Sequence, residues 1–344
     1  MDALQFVPIL VVGFAAALGM TPLSRVIALR LGVVDKPNQR KVHLDNKPMM
    51  GGLAIYASFA VALLLISPPE YLFEFVALLS GSAFLALVGL VDDRYTLGIK
   101  PKLVAQVLAA LVLIASGIQV KMFNLPLIDY SLTILWVVGI TNALNFLDNI
   151  DGLAAGLSAI AAGFFTLISF AEGLTLVSAL AAALTGSAVG FLIYNFNPAS
   201  SFMGDMGSMV LGFVLATLGI KLEFGAQPPS VTWMVPLLVL ALPLFDISLV
   251  VFTRLLEGRS PGQAGKDHTS HRLMSLGLSQ RWTVLVLYGG CIFFGILAFL
   301  VSTEEPRRAL VLGLGGLTLL AALFAFMMYV RRRYQLGGEK AVRH

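Results

Sequence analysis

Apolar stretches of near-membrane length follow one another along almost the whole chain, and this feature restricts the fold more than any other. A helix needs about 20 residues to cross the hydrocarbon layer of a bilayer. At that depth the backbone N–H and C=O groups have no water to bind, so only helices and closed barrels span a membrane. Stretches of this length predict helices. The eleven predicted spans are 5–24, 51–67, 75–91, 102–117, 131–147, 153–171, 176–194, 206–222, 231–252, 283–302 and 309–330.

The composition excludes a water-soluble fold. Of the 344 residues, 58% are hydrophobic and only 12% are charged, whereas a soluble domain carries about 25% charged residues. The net charge of +4 predicts no nucleic-acid partner, because the basic residues lie at the ends of the predicted spans. We therefore predict an all-α, polytopic membrane helix bundle in the lipid bilayer, with one domain over 1–330 and a basic cytoplasmic tail, 331–344.

The distribution of Lys and Arg predicts the orientation of this bundle. Of the 23 Lys and Arg residues, 19 lie in the tail and in the loops of one side, and four lie on the other side. Cytoplasmic loops are enriched in Lys and Arg. The N-terminus is therefore expected outside and the C-terminus in the cytoplasm. The loops of the cytoplasmic side are 25–50, 92–102, 148–152, 195–205 and 253–282.

Acidic residues collect at this predicted cytoplasmic side, at the ends of apolar spans. They are Asp92, Asp93, Asp148, Asp151 and Asp205. One such acid alone is as well explained as a helix cap, and Asp151 precedes the helical pattern GLAAGLSAIAAG. Several acids together repel each other unless a cation lies between them. Mg²⁺ takes oxygen ligands and bridges to substrate phosphates, so the group of acids favours a magnesium site.

Basic residues and histidines flank the acids from other loops. Alone, each of them is an ordinary topology signal or loop residue. Together with a metal site they favour phosphate binding, since Lys, Arg and His⁺ are strong donors to phosphate. The combination indicates phosphate chemistry at the membrane surface, with a lipid as one substrate. The residues are Lys41, His43, Lys102, His268, His271 and Arg272.

Five motif blocks occur in one order between about residues 35 and 275. They are Pro48-x-x-Gly51-Gly52, the pair Asp92-Asp93, NALNFLDNIDGLAAG over 142–156, FMGDMGS over 202–208 and HTSHR over 268–272. In this order they closely resemble the polyprenyl-phosphate N-acetylhexosamine-1-phosphate transferase family. The resemblance implies an eleven-span enzyme in the bacterial plasma membrane, with its active site on the cytoplasmic face. It also implies a homodimer as a family expectation.

Two bacterial branches of that family compete. One uses UDP-GlcNAc and starts O-antigen, teichoic acid or related wall polymers, and the other is the phospho-N-acetylmuramoyl-pentapeptide transferase of peptidoglycan synthesis. The loop sequence from His268 to Arg272 resembles the His-x-His-His-Arg pattern of the first branch, with Ser270 in place of a histidine. The eleventh span and the basic tail also favour the first branch. Thr96 and Asn149 depart from the usual family motifs as well, and the departures leave the exact UDP-amino sugar open.

The resemblance implies a reaction and residue roles. GlcNAc-1-phosphate would pass from UDP-GlcNAc to undecaprenyl phosphate, with release of UMP. Asp205 would be the main ligand of Mg²⁺, with Mn²⁺ as the other candidate metal. Asp92 would orient or deprotonate the lipid phosphate, and Asp93 would lie beside it near the metal. Direct attack by the lipid phosphate and a covalent aspartyl intermediate both remain open.

The resemblance also divides the remaining residues between the substrates. Asn145, Asp148, Asp151 and Asn195 would form the nucleotide site, and Phe202 would stack on uracil. Phosphate or sugar groups would be held by Lys41, His43, Lys102, His268, His271 and Arg272.

An ion-coupled secondary transporter is the rival from another functional class, since acids near the membrane are typical of transporters. Transporter sites, however, lie near the midplane of the bilayer, on broken helices of repeated halves. In this sequence the acids lie at one face and no matching halves are found. The placement of the acids therefore favours the enzyme.

Overall fold

The computed structural model describes residues 3–35, 47–64, 71–224, 228–263 and 265–341. Within these ranges the protein is helical apart from one pair of two-residue strands, β1 (Val34–Asp35) and β2 (Lys47–Pro48), which pair antiparallel. The predicted all-α fold is confirmed. The chain divides into two compact units, Met1–Ala226 and Gln227–His344. The prediction of one catalytic domain over 1–330 stays a prediction.

The first unit consists of eight helices, preceded by a 3-10 turn over Ala3–Phe6. The helices are α1 (Val7–Leu31), α2 (Gly51–Leu63), α3 (Leu72–Tyr95), α4 (Ile99–Ala115), α5 (Pro126–Leu147), α6 (Leu153–Ala171), α7 (Thr175–Asn195) and α8 (Gly204–Ile220).

Helix α8 is the core of the first unit. Every residue from Met206 to Gly219 is buried, and α2, α3 and α5 pack against it. The contacts depend on glycine: a Cβ on Gly52 would overlap the backbone of Gly207, and a Cβ on Gly89 would overlap the backbone of Met206. In a membrane, close approach of helices through small residues supplies the packing that a hydrophobic effect supplies in water. The glycines thus bring the N-terminal end of α8 against its neighbours.

The second unit consists of α9 (Pro229–Thr232), α10 (Met234–Val239), α11 (Ala241–Leu256), α12 (Thr269–Ser275), α13 (Gln280–Thr303) and α14 (Pro306–Ala341). The predicted span over 231–252 coincides with two helices, because the helix axis bends by 76° between Pro229–Val239 and Ala241–Leu256. Pro243 follows the bend and has no N–H to donate across it, which is a usual cause of a kink. Phe245 and Leu249 of α11 pack against Met327 of α14.

Each of the eleven predicted spans overlaps a helix or the bent pair. Seven helices of the described residues are long and apolar enough to cross a membrane, and there are eight if the bent pair counts as one span. The helices α2, α4 and α8 are shorter, with 13, 17 and 17 residues. The exact number of spans and the orientation of the termini stay predictions.

Candidate active site

The ends of four helices in the first unit bring polar side chains together. Asp92 and Asp93 lie in the last turn of α3, and Asp205 lies in the first turn of α8. Lys102 lies in the first turn of α4, and Asn145 in the last turn of α5. All five were predicted as site residues, and three segments distant in sequence, 92–102, the end of α5 and the start of α8, therefore converge as expected.

Lys102 bridges two of the carboxylates. Its Nζ donates to Asp92 Oδ2 at 2.8 Å and to Asp205 Oδ2 at 2.7 Å. Asn145 Nδ2 donates to the second oxygen of Asp205, Oδ1, at 2.9 Å. Asp92 Oδ1 is buried and has no hydrogen-bond partner among the described residues. A buried carboxylate oxygen without a partner is costly, so this atom is the clearest position in the cluster for a ligand.

Asp93 has a different environment from Asp92. Its Oδ1 accepts from the backbone N–H of Asp205 at 2.8 Å, and its Oδ2 accepts from the backbone N–H of Met206 at 3.3 Å. The first N–H groups of a helix lack partners within the helix. Asp93 therefore satisfies the start of α8 and fixes the backbone of Asp205. The predicted metal-binding role of Asp93 stays a prediction, since both its oxygens already accept these bonds.

Gly204 makes this anchoring possible. Its φ is +70°, in the left-handed region that favours glycine, and a Cβ there would collide with the carboxylate of Asp93. The glycine of the FMGD block thus allows the carboxylate to reach the end of α8.

Asp148 follows the last residue of α5 and turns the chain into the loop before α6. Partial burial, together with the negative charges of Asp205 and Asp151, raises the pKa of Asp148 to about 7. Its carboxylate accepts no hydrogen bond from the described part of the chain. Asp148 thus remains open to a ligand, as its predicted nucleotide-binding role requires.

Asp151 and Asn195 join two loops. Asp151 Oδ2 accepts from the side chain of Asn197 at 3.0 Å and from the backbone N–H of Ala199 at 2.9 Å. Asn195 Oδ1 accepts from the backbone N–H of Gly152 at 3.1 Å. These contacts fasten the loop after α7 to the loop after α5. Both residues were predicted to form the nucleotide site; the structure shows them fastening these two loops, and the nucleotide-binding role stays a prediction.

The FMGD block also pairs with the glycine pair at the start of α2. The backbone N–H of Phe202 donates to the carbonyl of Pro48 at 2.9 Å, and Gly51 and Gly52 donate to the carbonyls of Phe202 and Met203, both at 2.9 Å. Two motif blocks that lie about 150 residues apart are thereby joined. The ring of Phe202 is partly exposed, and its stacking on uracil stays a prediction.

The basic motif HTSHR lies in the second unit, at the start of α12. Arg272, predicted to hold phosphate, is buried and 5% exposed. It donates through Nε to the carbonyl of Asp267 at 3.0 Å, through Nη1 to the carbonyl of Met327 at 2.8 Å and through Nη2 to Thr253 Oγ1 at 2.8 Å. All three nitrogens are thus engaged within the protein, and Arg272 fastens α12 to α11 and α14.

The two histidines of the motif differ in their contacts. His268 Nδ1 lies 2.8 Å from Asp246 Oδ2, and the other oxygen of Asp246 accepts from the backbone N–H of Thr269 at 2.7 Å. The ring of His271 lies 6.1 Å from that of His268. Burial, with the nearby His268 and Lys266, lowers the pKa of His271 to about 4. His271 is therefore neutral at pH 7.

Asp246 was missed in the sequence. It lies in the apolar pattern ALPLFDISLV, and an acid within such a pattern is itself a functional signal. Lys41 and His43, predicted to bind phosphate, lie outside the described residues.

Within the described ranges, no three His, Cys, Asp or Glu side chains are arranged to hold a metal ion without other ligands. The Asp92–Asp205 pair supplies two carboxylates. Any metal at this position would therefore take further ligands from substrate or water.

Sequence similarity to known proteins assigns the chain to a family. The sequence model of glycosyl transferase family 4 matches residues 75–223. A probable undecaprenyl-phosphate N-acetylglucosaminyl 1-phosphate transferase of Bacillus subtilis is 35% identical, over 87% of this chain and 86% of that protein. The decaprenyl-phosphate N-acetylglucosaminephosphotransferase of Mycolicibacterium smegmatis is 32% identical over 92% of this chain and 86% of its own length.

A third relative, the undecaprenyl-phosphate alpha-N-acetylglucosaminyl 1-phosphate transferase of Escherichia coli K12, is 27% identical over 77% of this chain and 75% of its own length. With several long apolar helices, the chain is a multi-pass membrane protein, and the predicted resemblance is confirmed. The chain belongs to the polyprenyl-phosphate N-acetylhexosamine-1-phosphate transferases of glycosyl transferase family 4.

Proposed function

We propose that this protein transfers GlcNAc-1-phosphate from UDP-GlcNAc to undecaprenyl phosphate, giving undecaprenyl-diphosphate-GlcNAc and UMP. The observation that carries the proposal is the pair of carboxylates, Asp92 and Asp205, held by Lys102 where four helix ends meet. The names of the relatives support the lipid phosphate acceptor and the N-acetylglucosamine group. The reaction would be the first membrane step of a cell-surface polysaccharide or wall polymer.

The proposed setting is the bacterial plasma membrane, with eleven spans, the N-terminus outside and the active site on the cytoplasmic face. The bias of 19 among 23 Lys and Arg residues supports this orientation.

We propose Mg²⁺, or Mn²⁺ in its place, as the metal, with Asp205 as its main ligand and Asp93 near it. The donor chemistry fits, since the cluster offers carboxylate oxygens and the buried Asp92 Oδ1 lacks a partner among the described residues. Mg²⁺ is usually held by one or two carboxylates together with substrate phosphates and water, so a two-carboxylate site is sufficient. When bound, the metal would offset the charge of the diphosphate.

The protein's own residues prepare the reaction by positioning. Lys102 holds Asp92 and Asp205 at hydrogen-bond distance from one ammonium group, and Asn145 and Asp93 fix the side chain and backbone of Asp205. A phosphate monoester has a second pKa of about 6, so most of the lipid phosphate is already ionised at pH 7. Asp92 therefore acts chiefly by orienting the phosphate oxygen that attacks the β-phosphorus of UDP-GlcNAc.

His268 and His271 are proposed to hold sugar or phosphate groups. The neutral His271 accepts or donates one hydrogen bond at each nitrogen. His268 presents a ring whose orientation is set by Asp246. Arg272 has its three nitrogens engaged, so its contribution is to hold the loop.

The decisive experiment is reconstitution of the purified protein with UDP-GlcNAc, undecaprenyl phosphate and Mg²⁺. UMP release and formation of the lipid product are expected, and EDTA should stop both. Asp205→Asn should lower turnover by a factor of about 100 or more, and the thermal midpoint in detergent, measured on the same sample, shows that the variant is folded at the assay temperature.

Three results would redirect the proposal. Turnover of UDP-N-acetylmuramoyl-pentapeptide in place of UDP-GlcNAc would move the protein to the other family branch. Uptake of solute into proteoliposomes without UMP release would indicate a transporter. Failure to release UMP from any UDP-amino sugar would remove the transferase assignment.

A further inference from the structure

We propose that Asp246 is a positioning residue for the reaction, which holds the His268 ring in one orientation and in the tautomer protonated at Nδ1. The inference rests on the proposed function for its catalytic consequence, and on the geometry of α11 and α12 for the rest. Asp246 lies in α11, and its carboxylate reaches the start of α12.

The contacts leave the carboxylate little freedom. Asp246 is 1% exposed and His268 is 7% exposed. One carboxylate oxygen lies 2.8 Å from His268 Nδ1, and the other accepts from the backbone N–H of Thr269 at 2.7 Å. A single side chain therefore holds both the ring of His268 and the backbone of the next residue, so the ring cannot rotate without breaking a contact to a buried acid.

The chemistry of the pair decides the tautomer. An ionised carboxylate accepts hydrogen bonds and donates none. The proton of a neutral His268 ring must therefore be on Nδ1, and the lone pair of the ring is on Nε2. In the known cases where a carboxylate orients a histidine, loss of the charge changes the tautomer and lowers turnover.

A purely structural role for Asp246 explains its burial and charge less well than control of the His268 tautomer does. The loop before α12 is already fastened by the three contacts of Arg272 and by Asp267, which pairs with Arg254 at 3.1 Å and Arg259 at 2.8 Å. A buried acid in an apolar helix is costly. Thr269 N–H alone needs only a neutral acceptor, whereas the tautomer of His268 needs a charged one.

The first test measures the tautomer directly. The chain has four histidines, so labelling of the histidine rings with ¹⁵N gives a small set of NMR signals in detergent micelles, and His268→Gln identifies the signal of His268. The parent protein should show His268 protonated at Nδ1. In Asp246→Asn the amide oxygen can still accept from Thr269 N–H, while the amide NH₂ faces Nδ1, so the proton should move to Nε2.

The second test measures turnover. Asp246→Asn should lower kcat by about tenfold or more, with a change in the KM for UDP-GlcNAc of less than about threefold, as expected when orientation rather than ground-state binding is lost. Asp246→Glu keeps the carboxylate and should retain the Nδ1-protonated signal. Asp267→Asn is the matched structural control: it should lower the thermal midpoint and leave the tautomer of His268 unchanged.

The outcomes separate this inference from the proposed function. A parent protein with His268 protonated at Nε2 overturns the inference whatever the activity, and it does so even if Asp246→Asn does not fold. An unchanged His268 signal or an unchanged kcat in a folded Asp246→Asn protein overturns it as well. In another outcome, the parent releases no UMP and still shows His268 protonated at Nδ1, with the proton on Nε2 in Asp246→Asn. In that case the proposed function is wrong, and the control of the His268 tautomer by Asp246 is confirmed.

Discussion

Replacing Lys102 by methionine is the most direct perturbation of the acid cluster. Methionine keeps the length and the apolar part of the side chain and removes the ammonium group. The replacement deletes the contacts of 2.8 Å to Asp92 and 2.7 Å to Asp205 and leaves two neighbouring carboxylates without their shared cation. Lys102→Met should therefore destabilise the first unit.

The magnitude follows from the burial of the three side chains. Removing one partner of a buried ion pair costs about 3–5 kcal/mol. The side chains of Lys102, Asp92 and Asp205 are 21%, 10% and 26% exposed, so solvent screens part of the interaction and the lower value, about 3 kcal/mol, is expected. For a cooperative unit of the size of Met1–Ala226, this loss corresponds to a fall in the thermal midpoint of about 6–12 °C.

Lys100→Met provides the matched control. Lys100 lies in the same helical turn of α4, is exposed and makes no ion pair with any described residue. A surface substitution of this kind changes stability by less than about 0.5 kcal/mol. Both variants and the parent would be melted in detergent with EDTA, followed by tryptophan fluorescence.

Addition of Mg²⁺ separates the ion bridge from the metal site. At ten times its Kd, a ligand that binds only the folded state adds about 1.4 kcal/mol, and Lys102→Met should gain at least as much from Mg²⁺ as the parent does. If Lys102→Met and Lys100→Met melt within about 2 °C of each other, which is less than 1 kcal/mol, the reasoning about the Lys102 bridge is refuted.

Three further predictions concern Gly204, Asp148 and Arg272. Gly204→Ala should lower activity and the thermal midpoint, because its Cβ would collide with Asp93, whereas Gly139→Ala, with open space around its Cβ, should change neither. The pKa of Asp148 is about 7 in the folded protein and about 3.9 in an unfolded chain, so the stability of the folded protein falls as the pH rises from about 4 through 7. Asp148→Asn should therefore melt at a higher temperature than the parent at pH 8 in EDTA, and at the same temperature at pH 4. A lower midpoint of Asp148→Asn at pH 8 would contradict this. Arg272→Gln should lower the midpoint while the KM for UDP-GlcNAc stays within about threefold in the folded fraction, and a tenfold rise in KM would instead show contact with substrate.

The positions of most helices were predictable because they depend only on apolar length. The bend at Leu240 was not, because proline in an apolar run is tolerated in straight membrane helices as well, where neighbouring groups satisfy the freed backbone. Pro236 and Pro243 both lie near that bend. Which of two prolines ends up beside a kink depends on what packs around the helix, and this information lies in the tertiary structure.

The acids of the site were predictable as a group but not as individuals. Successive residues of an α-helix point about 100° apart, so Asp92 faces Lys102 while Asp93 faces the N-terminus of α8. The sequence shows two equal acids and cannot distinguish these directions. Arg272 illustrates the same limit, since the sequence shows only an arginine in a polar loop, whereas the loop folds so that its guanidinium is buried; its predicted phosphate-binding role stays a prediction.

The division of labour among the acids supplies a physical reason for the proposed metal. Asp93 accepts from backbone N–H groups of α8, and Asp151 accepts from the backbone N–H of Ala199. Asp92 and Asp205 share the ammonium group of Lys102, and Asp148 accepts no hydrogen bond from the described residues. A lipid phosphate and a sugar diphosphate would bring further negative charge to the same point. Like charges at such distances repel by about 4 kcal/mol per pair at an effective dielectric constant of 20, which one lysine cannot offset for every pair. A divalent cation bound together with the phosphates would offset that repulsion. Because the position of Asp205 is fixed by Asp93 and Asn145, a carboxylate ligand for the cation is in place before either substrate binds.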